Sequence, residues 1–227
     1  MPVYRLSETE IAFPPVDFAE PNGLLAVGGD LSVERLIQAY EHGLFPWFNP
    51  GEPLLWWSPD PRFVLFPEEL KVAKSMRPYF NQRKFDVRFD TCFEAVIRAC
   101  QRQRRNGQLS RTWITEDMVA AYCRLHEVGC AHSVEVWQST NLVGGLYGIS
   151  LGRMFFGESM FATVSNASKF GFITLVQRLR EQGFVLIDCQ QQTQHLGSLG
   201  ARAIARKVFI DILQQNRESD YQFGKWT

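Results

Sequence analysis

The sequence predicts an α+β protein: a small, loop-rich N-terminal domain over residues 1–62, then a larger domain over 63–227 built on a mixed, mostly antiparallel sheet. Three observations carry that expectation. Proline and glycine crowd the first 62 residues, in FPP, EPNG, GG and FPWFNPGEP, and the crowding ends with SPDPR at Ser58–Arg62. Between residues 132 and 161 the apolar pattern shortens to strand-length runs divided by turn residues: HSVEVWQ, LVGGLYGIS and RMFFGESMF. On either side of that block the period is helical, so helices precede and follow a central antiparallel meander.

Taken in order, Ser32 is placed to cap a helix that stops at Gly43. Pro67 opens a second helix, expected to end at Pro78, and FDVRF at 85–89 reads as a strand. Thr91-Cys92-Phe93-Glu94 has the spacing of a capping box, starting a helix that runs toward Gly107. Thr115 caps the next helix, with Glu116 and Asp117 in its first turn, where the helix dipole favours negative charge, and Gly129 beyond its end. After the meander, Ser165 or Asn166 starts a helix whose Phe172, Leu175, Val176 and Leu179 share one face. Gly183 ends it, FVLIDC at 184–189 is a strand, and a last helix covers Ile204–Gln214.

Composition narrows the function. The chain of 227 residues is 45% hydrophobic and 21% charged, ordinary for a globular protein. It contains no apolar run of about 18 residues and no basic, apolar leader at Met1–Phe13, which predicts neither membrane insertion nor secretion. Five cysteines, none in a CxxC pair, suit a reducing cytoplasm and speak against a disulfide scaffold or zinc ribbon. Histidines 42, 126, 132 and 195 lack metal-ligand spacing, and no P-loop, GxGxxG or GxSxG is present, so neither metal nor cofactor is expected. Net charge is zero, yet residues 1–70 hold three Lys and Arg against eleven Asp and Glu. Residues 71–111 hold eleven Lys and Arg against three acids, a basic stretch that can meet phosphates or serve as a solvated helix face.

The chemistry-bearing residues sit around FVLIDCQQQTQHLGSLGA, 184–201. Side chains of a strand alternate faces, so Val185, Ile187 and Cys189 share one and Leu186, Asp188 and Gln190 the other. Cys189 thus reads as a buried structural thiol despite the nearby His195, lacking the helix N-terminus or cations that a reactive thiolate needs. Asp188 and Gln190 are a polar pair closing an apolar strand. Glu158, in MFFGESMF, is a carboxylate among apolar neighbours that must pair with an internal cation or with one from a ligand. Trp47, Trp56, Trp57 and Trp113 fit either core packing or stacking on unpaired bases.

These residues lie within a longer pattern. EPNGLLAVGGDLS (20–32), GLFPWF (43–48), LLWWSPDPR (54–62), TWIT (112–115), HSVEVW (132–137), LVGGLYG (142–148), GESMF (157–161), NASK (166–169), LIDCQ (186–190) and HLGSLGA (195–201) occur in order. In them the chain resembles the leucyl/phenylalanyl-tRNA–protein transferases. The resemblance implies a C-terminal domain with the fold of GCN5-type N-acetyltransferases (GNAT). It implies transfer of Leu or Phe, less readily Met, from aminoacyl-tRNA to an N-terminal Arg or Lys, marking the acceptor for N-end-rule degradation. Carried over by position, Asp188 and Gln190 are the catalytic pair and Glu158 meets the basic acceptor residue. The resemblance likewise implies that Trp47 and Trp113 surround the 3′-terminal adenosine and that Leu146 and Phe155 line the aminoacyl side-chain pocket. Thr163 stands where members of that family often carry a basic residue, so a phosphate contact from that position is not carried over. Acetyl-CoA is disfavoured, because ATVSNAS (162–168) has no glycine turn for a pyrophosphate. An amide is too weak to act as a base, so Gln190 is expected to accept a hydrogen bond from the attacking amine while Asp188 orients and polarises that amide.

Overall fold

A computed structural model of the chain describes residues 3–103, 112–218, 221 and 223–226. Most of RQRRNGQLSR (102–111), with the helix end expected at Gly107, lies outside the described residues.

The first 57 residues are less loop-like than their composition implies. β1 (Tyr4–Leu6), β2 (Leu24–Gly28), β3 (Phe45–Pro46) and β4 (Leu55–Trp57) form a four-stranded sheet in the order β1-β2-β4-β3. Strands of two to five residues are too short to display a period of two. α1 (Val33–Glu41) begins where Ser32 accepts the Arg35 N–H and ends before Gly43, whose φ of +75° favours glycine.

The second sheet starts with β5 (Arg62–Leu65). No helix spans Pro67 to Pro78. Two 3-10 turns, Pro67–Glu69 and Lys74–Met76, flank a connection in which the Lys71 N–H bonds to the Leu199 carbonyl at 2.9 Å. Pro78 lies in the first turn of α2 (Arg77–Asn81), where a missing N–H costs no intrahelical bond. β6 (Asp86–Phe89) leads to α3 (Phe93–Arg102), and here the capping box does not form. Glu135 accepts the backbone N–H groups of Thr91 and Cys92, the Thr91 hydroxyl and the Ser133 hydroxyl, while Glu94 pairs with Arg98. A fully buried carboxylate needs several donors, and the open end of α3 supplies them.

α4 (Glu116–Glu127) is capped by Thr115 as expected, with the Met118 N–H 3.2 Å from its hydroxyl. The meander follows as β7 (Ala131–Gln138), β8 (Asn141–Leu151) and β9 (Met154–Ala162). α5 (Ala167–Glu181) starts after Asn166, whose side chain bonds to the Tyr79 hydroxyl instead of capping. β10 (Leu186–Gln190), α6 (Gln194–Ser198), β11 (Arg202–Ile204) and α7 (Arg206–Arg217) complete the order. Ile204 therefore ends a strand rather than opening the last helix.

The seven strands run β11-β5-β10-β9-β8-β7-β6, with β9 and β10 parallel and every other pair antiparallel. Alternation splits the core. Tyr147, Ile149, Phe156 and Leu186 face α1, α3, α4 and α7, whereas Leu146, Phe155 and Ile187 face α5. The glycines of LVGGLYG permit close approach: a Cβ at Gly148 would lie 2.3 Å from the Phe156 carbonyl oxygen and 2.5 Å from the Phe155 ring.

Candidate active site

Where β9 and β10 run side by side, Asp188 stands opposite Phe156. Two residues further along each strand come Glu158 and Gln190, which are joined by a 2.8 Å bond from Gln190 Nε2 to Glu158 Oε1. Gln190 reaches that position because β10 slips register against β5 between Asp188 and Gln190, and Gln190 adopts a left-handed φ of +61°. That conformation is rare outside glycine and strained, and it recurs at functional sites. The bulge also overrides strict alternation, so Cys189 and Gln190 both line one cavity.

Asp188 is fully buried and held fork to fork by Arg62, with Nε to Oδ1 at 2.9 Å and Nη2 to Oδ2 at 2.6 Å. Arg62, itself fully buried, donates its remaining nitrogen to the Gly43 carbonyl and lies between the Phe45 and Phe209 rings. Asp188 Oδ1 also accepts the backbone N–H of Gln190 at 2.9 Å. The expectation that Asp188 orients the Gln190 side-chain amide is thus corrected. Asp188 fixes the backbone, and Glu158 holds the amide.

Glu158 accepts two phenols besides: Tyr40 at 2.7 Å on Oε1 and Tyr122 at 3.0 Å on Oε2. Among the described residues no ion pair reaches it. Burial pushes its carboxyl up to about 7, helped by the Asp188 charge and opposed by the bonds from Tyr40, Tyr122 and Gln190. Burial, and next the Glu158 charge, keep both phenols well above their ordinary range, so they remain protonated donors.

The cavity holds about 560 Å³. Trp47 and Trp113 line it, as do Leu146, Met160, Phe172 and Ile187. Of the residues expected at the site, Trp47, Trp113, Leu146, Glu158, Asp188 and Gln190 are brought together around this one space. Phe155 is not among its lining residues. It is fully buried, against Gly148 and 5.8 Å from the Trp226 ring, so it supports the strand from behind. Thr163 gives its hydroxyl to the Val143 carbonyl.

Sequence reasoning missed Arg62, Tyr40, Tyr122 and Met160. Tyr40 ends an apolar stripe of α1, and the available signal was its hydroxyl, which needs a partner once buried. Arg62 opens an apolar strand, where a cation must find a carboxylate. Met160 pairs in register with Leu146. Cys189 and His195 both line the cavity without forming a pair: Cys189 Sγ donates to the Ile187 carbonyl, and His195 Nε2 has no hydrogen-bond partner among the described residues. Burial, then the Asp188 charge, push the Cys189 thiol far above its usual range. Burial and the Lys169 charge lower His195. No cluster of metal-ligating side chains exists among the described residues.

A cavity that offers a carboxylate, an amide and an apolar end, without an activated nucleophile, suits an enzyme moving a group that arrives already activated. The family described as leucyl/phenylalanyl-tRNA protein transferase matches residues 64–214, and the model of its N-terminal domain matches 29–60. Relatives named leucyl/phenylalanyl-tRNA–protein transferase are 59% identical over 213 residues in Pseudomonas fluorescens (strain Pf0-1), 93% of either chain, and 58% identical over 213 residues in Ectopseudomonas mendocina (strain ymp), again 93% of either chain. The chain belongs to the leucyl/phenylalanyl-tRNA–protein transferase family and is a transferase. Solved structures are similar only at a distance. An aminoglycoside acetyltransferase from an uncultured soil metagenomic sample, with trehalose, has a TM-score of 0.35 and 10% identity over 64% of this chain and 95% of that one. L-PGS from Bacillus licheniformis has a TM-score of 0.39 and 12% identity over 89% of this chain and 65% of that one. No helix among the described residues is long and apolar enough to cross a membrane.

Proposed function

We propose that this enzyme takes Leu or Phe, and less readily Met, from aminoacyl-tRNA and joins it to the N-terminal Arg or Lys of acceptor proteins in the cytoplasm, marking them for N-end-rule degradation. The observation that carries this reading is the Glu158–Gln190 pair on the cavity wall beside an apolar end. An aminoacyl ester is already activated, and an α-amine with a pKa of about 7.7–8 is roughly one-third free at pH ~7.5. What remains is positioning, worth up to ~7–11 kcal/mol.

In this reading Trp47 and Trp113 take the 3′-terminal adenosine, and Leu146 with Met160 takes the aminoacyl side chain. Glu158 meets the acceptor's cation. Gln190, with its N–H given to Glu158, turns Oε1 toward the attacking amine, while Asp188, clamped by Arg62, keeps the Gln190 backbone in place. The basic stretch 71–111 holds tRNA phosphates. The amine–carbon bond forms as the ester C–O bond breaks, and the proton lost by the amine is matched by the one gained at the 3′ oxygen. Neither metal nor cofactor is required. The test mixes labelled Leu-tRNA or Phe-tRNA with one peptide beginning Arg and another beginning Ala, and acetyl-CoA should label neither. Label on the Arg peptide alone is expected. Label on neither defeats the reading, and equal label on both removes the role given to Glu158.

A further inference from the structure

Four oxygens of three side chains meet beneath the cavity in a closed ring. Tyr40 and Tyr122 hydroxyls are 2.5 Å apart, Tyr40 is 2.7 Å from Glu158 Oε1, and Tyr122 is 3.0 Å from Glu158 Oε2. Each short contact between oxygens needs a proton, since two bare lone pairs at such distances repel. Two phenols supply two protons for three contacts. With Glu158 ionised both phenols donate to it, which leaves the Tyr40–Tyr122 contact without a proton. A proton on the carboxyl closes the ring, Glu158 then donating to Tyr122, Tyr122 to Tyr40, and Tyr40 back to Glu158.

We propose that Tyr40, Tyr122 and Glu158 form a ring holding one shared carboxyl proton, and that an acceptor's cationic side chain occupies the site by displacing that proton. Tyr40 and Tyr122 thereby become specificity-determining residues. The proposal rests on the reading of Glu158 as the acceptor contact. A guanidinium or ammonium compensates the buried carboxylate that the lost proton leaves behind, and a neutral side chain leaves the ring closed and gains no charge pairing. The chemistry balances: the Glu158 O–H bond breaks, its proton goes to water, and the phenols turn to donate to the two carboxylate oxygens. The groups facing Glu158 are Tyr40 from α1, Tyr122 from α4 with Tyr147 behind it, and Gln190 and Asp188 from β10, the last neutralised by Arg62. No cation among these faces Glu158 directly, and its carboxyl titrates near neutrality.

The test is infrared difference spectroscopy of the full-length enzyme at pH 6, with and without a peptide beginning Arg. A protonated-carboxyl band should vanish when the peptide binds. It should be absent throughout in Glu158→Gln, and displaced in Tyr40→Phe and Tyr122→Phe, which lose ring partners but keep the carboxyl. Binding of the Arg peptide should weaken by about tenfold for each pH unit below 7 in the wild type and lose that slope in Glu158→Gln. An Arg peptide that binds at pH 6 with no carboxyl band lost overturns the ring, as does a band unmoved by either Phe variant. If Glu158→Gln binds the Arg peptide as tightly as the wild type, the acceptor reading itself fails, an outcome separate from failure of the ring.

Discussion

Gln190 gives its side-chain N–H to Glu158 at 2.8 Å, across the parallel pair β9 and β10, so amide and carboxylate act as a unit. Replacing the amide with a carboxylate tests that unit. Gln190→Glu sets two acceptors face to face, whereas Gln190→Ala merely removes the donor. Both should lower kcat/KM on the order of 10²-fold, a typical scale for a positioned proton-handling group. Only Gln190→Glu should lose further activity as pH rises from 6 to 8, measured by label transfer to an Arg peptide.

Glu158 also sets a stability slope. Folding raises its carboxyl from 4.5 to about 7, so the folded state favours the protonated form. This contribution is full below about pH 4.5 and is lost as pH rises through about 7. Glu158→Gln does not titrate there. Its stability relative to the wild type should therefore rise between pH 5 and pH 8 by ~2 kcal/mol, the full shift being discounted for solvent at the cavity wall. Urea midpoints at the two pH values measure this, and a fall would contradict the assigned burial of the carboxyl.

Breaking the Arg62–Asp188 pair by Arg62→Met strands a buried carboxylate and should cost about 3–5 kcal/mol in denaturant unfolding. The double variant Arg62→Met with Asp188→Leu should recover much of that stability but little transfer activity, because the Gln190 backbone loses its acceptor. Arg62→Lys keeps the charge without the fork, and its activity should fall more than its stability.

Cys189 borders the cavity as an inert wall. Cys189→Ala should keep most of the activity, and iodoacetamide should modify the wild-type thiol slowly even at pH 8, since burial and the Asp188 charge hold it protonated. Cys189→Phe should crowd the cavity and lower transfer. An inactive but folded Cys189→Ala protein would reopen the nucleophile reading.

Leu146 and Met160 face each other across β8 and β9 at the apolar end. Leu146→Phe narrows that end and should disfavour Phe-tRNA relative to Leu-tRNA by about 10- to 200-fold in kcat/KM, the scale on which an apolar pocket discriminates. Competition between the two charged tRNAs reads the ratio.

The meander at 131–162 and the α5 stripe were legible because their periodicity runs unbroken over several residues. The four short strands before Trp57 carry no such pattern and emerge only through pairing. Local signals also lost to distant ones. Thr91-Cys92-Phe93-Glu94 looked self-sufficient, yet Glu135, 44 residues from Thr91, caps that helix end. Asp188 and Gln190 stood out as polar residues ending an apolar strand, but their contacts did not. The bulge turns Gln190 to Glu158, and Tyr40 and Arg62 meet partners 118 and 126 residues away.

That last separation has a consequence for synthesis on the ribosome. Arg62 emerges 126 residues before the carboxylate that neutralises it. At about 5–20 residues per second, the interval is roughly 6–25 seconds. Throughout it the arginine must remain in water, because β5 has neither β10 nor β11 to pair with. Assembly of the cavity is therefore a late, posttranslational-like event in a nascent chain, and the arrival of β10 closes the sheet, neutralises the charge and sets Gln190 in a single step.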